Sequence, residues 1–224
     1  MSKTDLERLA LNAKLGDGCI AKRKDSYGMS FSSVSLDYLS YKRSMAKVAR
    51  PASLRTQVNG GYSRKYIHRF SVRSTIEAKE AYALSNSEAI QRLDKVDLCL
   101  WMFDDGSLHK QHGTMHLYSN MLNEVESKVL IAKIFELYPV EKGRLSVDRK
   151  KDGRSFFYIY IPRVTAEVIQ VDMLALLTEN NIDAMQYKTV RRKYTLNDHR
   201  TANSGRRPKV GPATILLEPS RVGE

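Results

Sequence analysis

Residues 98–103 include no polar side chain, and Asp104, Asp105 and Gly106 follow at once. A helix that is apolar on every side belongs in a core, and a glycine just past the last turn is a common stop. The stretch 96–106 therefore predicts a central buried helix that carries acid to its C-terminal tip. A helix C-terminus already holds roughly half a negative charge. Carboxylates placed there need a positive partner, and a divalent metal is the obvious candidate. The pattern occurs a second time. Leu6, Leu9, Ala10 and Ala13 share one helical face, and that run closes with Leu15, Gly16, Asp17 and Gly18. Two apolar helices, each ending in Asp-Gly, suggest one structural unit used twice.

A chain of 224 residues is long enough to bury a substantial core, as one domain or as two fused halves. No apolar run approaches the ~20 residues of a membrane span, and residues 4–15 open an amphipathic helix rather than a signal peptide. Cys19 and Cys99 lie in or beside the two apolar helices. They read as buried free thiols of an intracellular, cytoplasmic protein rather than as a disulfide. The charge balance is more telling. Lys and Arg number 37 against 25 Asp and Glu, a net charge of +12, which suggests a polyanionic partner, chiefly nucleic acid. A ribosomal or merely basic protein is the plainer reading. A membrane surface is disfavoured because no strongly basic amphipathic helix stands out.

Along the chain, a Thr4/Glu7 capping box predicts a helix over 4–15. A strand over 20–24, a turn at 25–28 and a strand over 29–35 come next, then a helix over 38–48 capped by Asp37. Strands over 54–58 and 62–73 flank the hairpin signal Asn59-Gly60-Gly61. In the longer strand Tyr66, His68, Phe70 and Val72 alternate with Lys65, Ile67, Arg69, Ser71 and Arg73, so one face is largely aromatic or apolar and the other largely basic. A helix over 76–84 and a polar connector at 85–87 finish the half. The second half repeats the plan, with strands over 107–110 and 114–119, a helix over 123–137 striped by Val125, Val129, Ala132 and by Leu130, Ile134, Leu137, strands over 145–149 and 156–161, and a helix over 165–178. Each half reads αββαββα, a four-stranded antiparallel sheet backed by helices in an α+β fold. The expected domains are 1–92 and 93–187, with a basic C-terminal extension over 188–224.

Three elements carry a family resemblance: Ala10-Leu11-Asn12-Ala13-Lys14-Leu15-Gly16-Asp17-Gly18, the second motif Leu98-Cys99-Leu100-Trp101-Met102-Phe103-Asp104-Asp105-Gly106, and Met185-Gln186-Tyr187-Lys188. Together with the repeated layout they resemble the LAGLIDADG homing endonucleases of the single-chain, two-motif kind. The resemblance implies two pseudo-symmetric halves whose saddle-shaped sheets lie along DNA, with the motif helices paired and their acidic tips above the minor groove. It implies that Asp17 and Asp105 hold Mg²⁺ or a similar cation, with the backbone carbonyls of Gly16 and Asp104 as added ligands, one aspartate serving each strand. Lys188 would stand near the scissile phosphate, and Lys79 is the nearest first-half counterpart. The family favours small residues at the third and seventh motif positions, where this chain has Asn12, Gly16, Leu100 and Asp104.

The implied activity is a site-specific, Mg²⁺-dependent double-strand break at a long asymmetric DNA target, made by a monomer from a mobile element. β-Ribbons fit the major groove, and the candidate DNA contacts are Lys22, Arg23, Lys24, Lys65, Arg69 and Arg73 in the first half. Lys110, Arg149, Lys150, Lys151 and Arg154 are their second-half counterparts, with Arg191, Arg192 and Lys193 in the extension. The alternative is a non-cleaving binder on the same scaffold, either an intron RNA maturase or a DNA-binding regulator; a basic structural protein of a ribonucleoprotein is more remote. His109, His112 and His116 are too loosely spaced, and lack a cysteine pair, to read as a zinc site. They read instead as surface or groove-facing histidines.

Overall fold

Helix α1 (Asp5–Leu15) starts where the capping box predicts: Glu7 N–H donates to Thr4 Oγ1 at 3.2 Å and Thr4 N–H to the Glu7 carboxylate at 2.6 Å. Its counterpart α5 (Lys95–Asp105) opens on a second box, Asp94 with Asp97. The two helices pack side by side and parallel, because both pairs of ends are joined. At the N-terminal end, Lys3 and Arg8 bridge to Asp94 and Asp97. Arg8 donates to both Asp94 oxygens at 2.6 and 2.8 Å. Although half-buried, Asp94 is held below the usual carboxylate range by that guanidinium and by the Asp97 N–H. Between the ends lies the core. Leu98, Leu100, Trp101, Met102 and Phe103 of α5 are all buried, with Leu9, Ala10 and Ala13 of α1 among their buried partners.

The computed structural model describes residues 3–58, 66–119, 121–149 and 155–189, which belong to one compact unit. After α1 come β1 (Cys19–Arg23), β2 (Ser26–Ser33), α2 (Leu36–Met45), β3 (Arg55–Val58), β4 (Tyr66–Val72), α3 (Ile76–Ala83) and α4 (Asn86–Gln91). After α5 come β5 (Gly106–His109), β6 (Thr114–Tyr118), α6 (Glu124–Leu137), β7 (Arg144–Arg149), β8 (Ser155–Ile161), α7 (Arg163–Glu179) and a 3-10 turn, Gln186–Lys188. Two four-stranded antiparallel sheets result, ordered β1-β2-β4-β3 and β5-β6-β8-β7. This is the α+β architecture read from the sequence. No described helix is long and apolar enough to cross a membrane.

Local departures have local causes. Arg23 pairs with Ser26, so the first hairpin turns on Lys24 and Asp25 alone, with Lys24 in the left-handed region at φ 46°; Tyr27 and Gly28 are already strand. The hydroxyl of Ser35 accepts from Tyr38 N–H at 3.2 Å and starts α2 two residues early. The polar run 85–87 is not a connector: Ser85 and Glu88 make a third capping box, and Ala89 and Ile90 of α4 are buried. On α6, Leu130, Ile131 and Ile134 face the core while Val125 and Ala132 are exposed. Cys99 is buried, and burial pushes its thiol up to about 12, whereas Cys19 is exposed at the start of β1.

The glycine after each motif aspartate, Gly18 or Gly106, is required by close approach. A Cβ on Gly106 would lie 2.4 Å from the Met102 carbonyl oxygen, and one on Gly18 would lie 2.5 Å from Ala13 Cα. Gly106→Ala is accordingly expected to lower stability by about 1–3 kcal/mol, the range of core overpacking. An unchanged midpoint in urea denaturation would show that the backbone has room there after all.

Candidate active site and nucleic-acid face

Each motif helix ends by delivering one aspartate to the same place. Asp17 follows the Gly16 cap of α1, and Asp105 is the last residue of α5. Their carboxyl groups meet within hydrogen-bonding reach of each other. Burial first, then the neighbouring Asp17 and Asp104, raise Asp105 to about 7; burial and Asp104 likewise raise Asp17. Trp101 Nε1 donates to Asp105 Oδ2 at 3.0 Å and fixes its orientation. Two carboxyl groups can share such a contact only with a proton or a cation between them. The donor set is hard oxygen, which suits Mg²⁺; that ion commonly takes one or two carboxylates plus water and substrate phosphate. Among the described residues no group of three or more His, Cys, Asp or Glu is arranged to hold a metal unaided.

The expected acid at the α5 tip is compensated by lysines. Lys188, buried in the 3-10 turn, donates to the carbonyls of Phe103 (2.6 Å), Asp104 (3.2 Å) and Met102 (3.5 Å). It thus caps the negative end of the helix. Burial lowers its ammonium from the usual lysine range despite Asp104, Asp105 and Asp17 nearby. The Asp104 carbonyl, expected as an added metal ligand, is therefore engaged by Lys188. The Asp104 side chain has partners of its own. Lys42 Nζ of α2 donates to both its oxygens at 2.7 and 2.8 Å, Asn12 Nδ2 of α1 donates at 2.8 Å, and the Tyr38 hydroxyl lies 3.0 Å away. The motif positions that the family keeps small are thus linked here by an interhelical hydrogen bond. A Cβ on Gly16 would already touch Asp104 Oδ2 at 3.0 Å.

Lys79 sits exposed on α3, whereas Lys42 is the buried first-half lysine beside the tips, and its charge acts on Asp17. The signal for Lys42 was available: Tyr38, Lys42 and Met45 fall at i, i+4 and i+7, so a lysine stands in the buried stripe of α2.

The sheets place the basic residues selectively. On the first sheet a groove of about 970 Å³ runs from Asp17 along the open face, lined by Arg23, Arg55, Arg69 and Arg73 among serines and small residues. Lys22 points to the opposite face, 5.9 Å from the centre of the Tyr27 ring, because β1 alternates. Lys24 and Lys110 lie exposed in turns. Arg55 and Arg144 share the open faces and were missed, since neither stands in a basic run. Arg149 closes β7 opposite Ser155; Lys65, Lys150, Lys151, Arg154, Arg191, Arg192 and Lys193 lie outside the described residues. On the second sheet His116 packs beside Tyr158 and Tyr160, at 4.7 and 5.8 Å between ring centres, and His109 stacks on His112 at 4.8 Å.

One consequence is measurable without DNA. Asp105 has a folded-state pKa of about 7 against an ordinary 3.8. Between those values the folded chain binds more protons than the unfolded chain, so stability falls as pH rises through that window. In chelator, wild type should lose stability relative to Asp105→Asn between pH 4 and 7. The expected loss is about 1 kcal/mol, reduced from the full shift because the carboxyl is partly exposed and screened. Parallel melting curves for the two proteins across this range would remove the carboxyl contact as their cause.

Paired parallel helices with acidic tips, each feeding a four-stranded antiparallel sheet, make up the LAGLIDADG homing endonuclease fold. The chain is similar to the homing endonuclease I-WcaI bound to its DNA recognition sequence, with TM-score 0.60, 18% identity, and 85% of this chain and 88% of that one covered. It is also similar to a glycine-to-serine variant of I-DmoI in complex with its target DNA in the presence of magnesium, with TM-score 0.51, 11% identity, and 78% and 99% covered. The N-terminal LAGLIDADG domain of DUF199/WhiA matches with TM-score 0.46 and 10% identity over 88% and 87% of the two chains. No family model and no curated protein matches the sequence.

Proposed function

We propose that this chain is a site-specific DNA endonuclease of the LAGLIDADG type, acting as a single chain with a divalent cation. The observation that carries the reading is the meeting of Asp17 and Asp105 at the tips of two paired helices, between two sheets whose first open face is rich in arginine. Asp17 and Asp105 would hold the cation. When bound, it would supply charge stabilisation to a phosphodiester undergoing hydrolysis. Trp101 keeps the Asp105 carboxylate aimed at the tip, and Lys188 offsets the helix end on which it stands. Lys42 pairs with Asp104 and so offsets the third carboxylate, which stands beside the two that meet. The open sheet faces would position the duplex, lysines and arginines on phosphate and strand side chains on base edges.

The test is a long random duplex library incubated with the full chain and Mg²⁺, the ends being sequenced. Discrete double-strand ends that need the metal and both aspartates support the reading. Metal-independent sequence-specific binding without ends supports the non-cleaving reading, either a DNA-binding regulator or, if structured intron RNA competes, a maturase. The engagement of the Asp104 carbonyl by Lys188 is what favours keeping that second reading.

A further inference from the structure

The two sheets are built to one register, which allows their open faces to be compared position by position. In the first sheet Ser30 pairs with Ser71, and Ser32 pairs with Arg69, which pairs in turn with Arg55. In the second sheet the equivalent rows are His116 with Tyr160 and Arg144, and Tyr118 with Tyr158 and Ser146. The equivalence follows from the hairpins: Cys19 pairs with Ser30 just after Gly18, and Ser107 pairs with His116 just after Gly106. Where the first half has serine the second has histidine or tyrosine. Where the first half has the Arg69–Arg55 pair the second has Tyr158 and Ser146.

The arginines of the first face have no acceptor among the described residues. Arg23, Arg55, Arg69 and Arg73 are exposed, and none is ion-paired or hydrogen-bonded through its guanidinium to another described residue. Arg55 and Arg69 stand directly opposite each other across the strands, an arrangement that costs stability unless an acceptor lies between or above them. A guanidinium only donates, and in the major groove the paired acceptors that match its fork are O6 and N7 of guanine. The second face is different. The Arg144 guanidinium carbon lies 4.6 Å from the centre of the Tyr160 ring, within reach of a cation–π interaction. His116 is surrounded by Tyr118, Tyr158 and Tyr160, and burial, then His109, lowers its pKa. Arg144 apart, the described part of that face offers rings and hydroxyls, suited to thymine methyl groups and to single donors or acceptors.

We infer that the two halves read base pairs of different kind. The first sheet takes a guanine-bearing half-site through Arg55 and Arg69, the second takes an A·T-rich half-site through the Tyr118, Tyr158 and His116 surface, and the protein therefore sits on its target in one orientation. This rests on the DNA-binding reading above and adds which half of the site each sheet specifies.

The test is a binding selection from random duplexes with the full chain in Ca²⁺, repeated with Arg69→Gln, Arg55→Gln and Tyr158→Ala. The expected wild-type site has guanines confined to one half. Each arginine variant should lose about tenfold to a hundredfold discrimination at one or two guanine positions, while preferences in the other half persist. Tyr158→Ala should relax only the A·T-rich half. Guanine required equally in both halves, or arginine variants that weaken binding uniformly without changing base preference, would overturn the inference. A wild-type selection that enriches no sequence would overturn the DNA-reading function itself, a separate outcome.

Discussion

Asp105→Asn should reduce double-strand cleavage about a thousandfold or more, the rate equivalent of roughly 4 kcal/mol of lost charge stabilisation, and Asp17→Asn should do the same. Neither change should weaken binding of the uncut duplex, because each removes a negative charge from a surface that meets phosphate. Both should stabilise the protein in chelator, since the two carboxyl groups crowd each other when no cation is present. This combination of lost cutting, retained binding and raised melting temperature separates a site that trades stability for chemistry from a purely structural contact. A structural contact would show the reverse, with both variants melting earlier. The assay is cleavage of the selected site at fixed Mg²⁺ beside a gel-shift titration. Cutting at the wild-type rate by either variant would end the two-aspartate mechanism.

The two acidic tips were legible because they depend on short-range pattern. An all-apolar run buries a helix wherever it is, and glycine ends it. The capping boxes at Thr4 and the alternation of β4 were readable for the same reason, and both occur in the structure. What could not be read depends on which side chains meet across sequence. Lys42, Asn12 and Asp104 come from three elements, and no local rule pairs them; Asn12 and Asp104 looked like departures when each was considered alone. The face of a basic residue was misjudged where a one-residue alternation decided it. Lys22 and Arg23 are neighbours in a basic run, yet only Arg23 reaches the groove. Conversely, Arg55 and Arg144 became visible as face residues only once strand register was fixed.

Asp104→Ala is expected to destabilise the fold by about 3–5 kcal/mol, the cost of removing one partner of a buried ion pair. The side chains of Lys42 and Asp104 are 2% and 4% exposed, so a lone ammonium at that position is cut off from water and is left with only the more distant charge of Asp17. Asn12 would lose its acceptor as well. Against a total stability of about 5–15 kcal/mol this is a large fraction, and chemical denaturation should show it as a shifted midpoint with the slope unchanged. Lys42→Met alone should also destabilise, because it leaves the carboxylate with only the Asn12 amide and the Tyr38 hydroxyl. The double variant, Asp104→Ala with Lys42→Met, should recover much of the loss, since both charges go and apolar atoms fill the space. Strong coupling between the two substitutions is therefore the signature, and it should persist at 1 M salt, where exposed pairs are screened over about 3 Å. Simple additivity would mean that Lys42 and Asp104 act independently. The two helices would then be joined at their C-terminal ends by the Asn12–Asp104 hydrogen bond without help from Lys42, as Arg8 joins them to Asp94 and Asp97 at the other end, and the lysine in the buried stripe of α2 would be tolerated there rather than used.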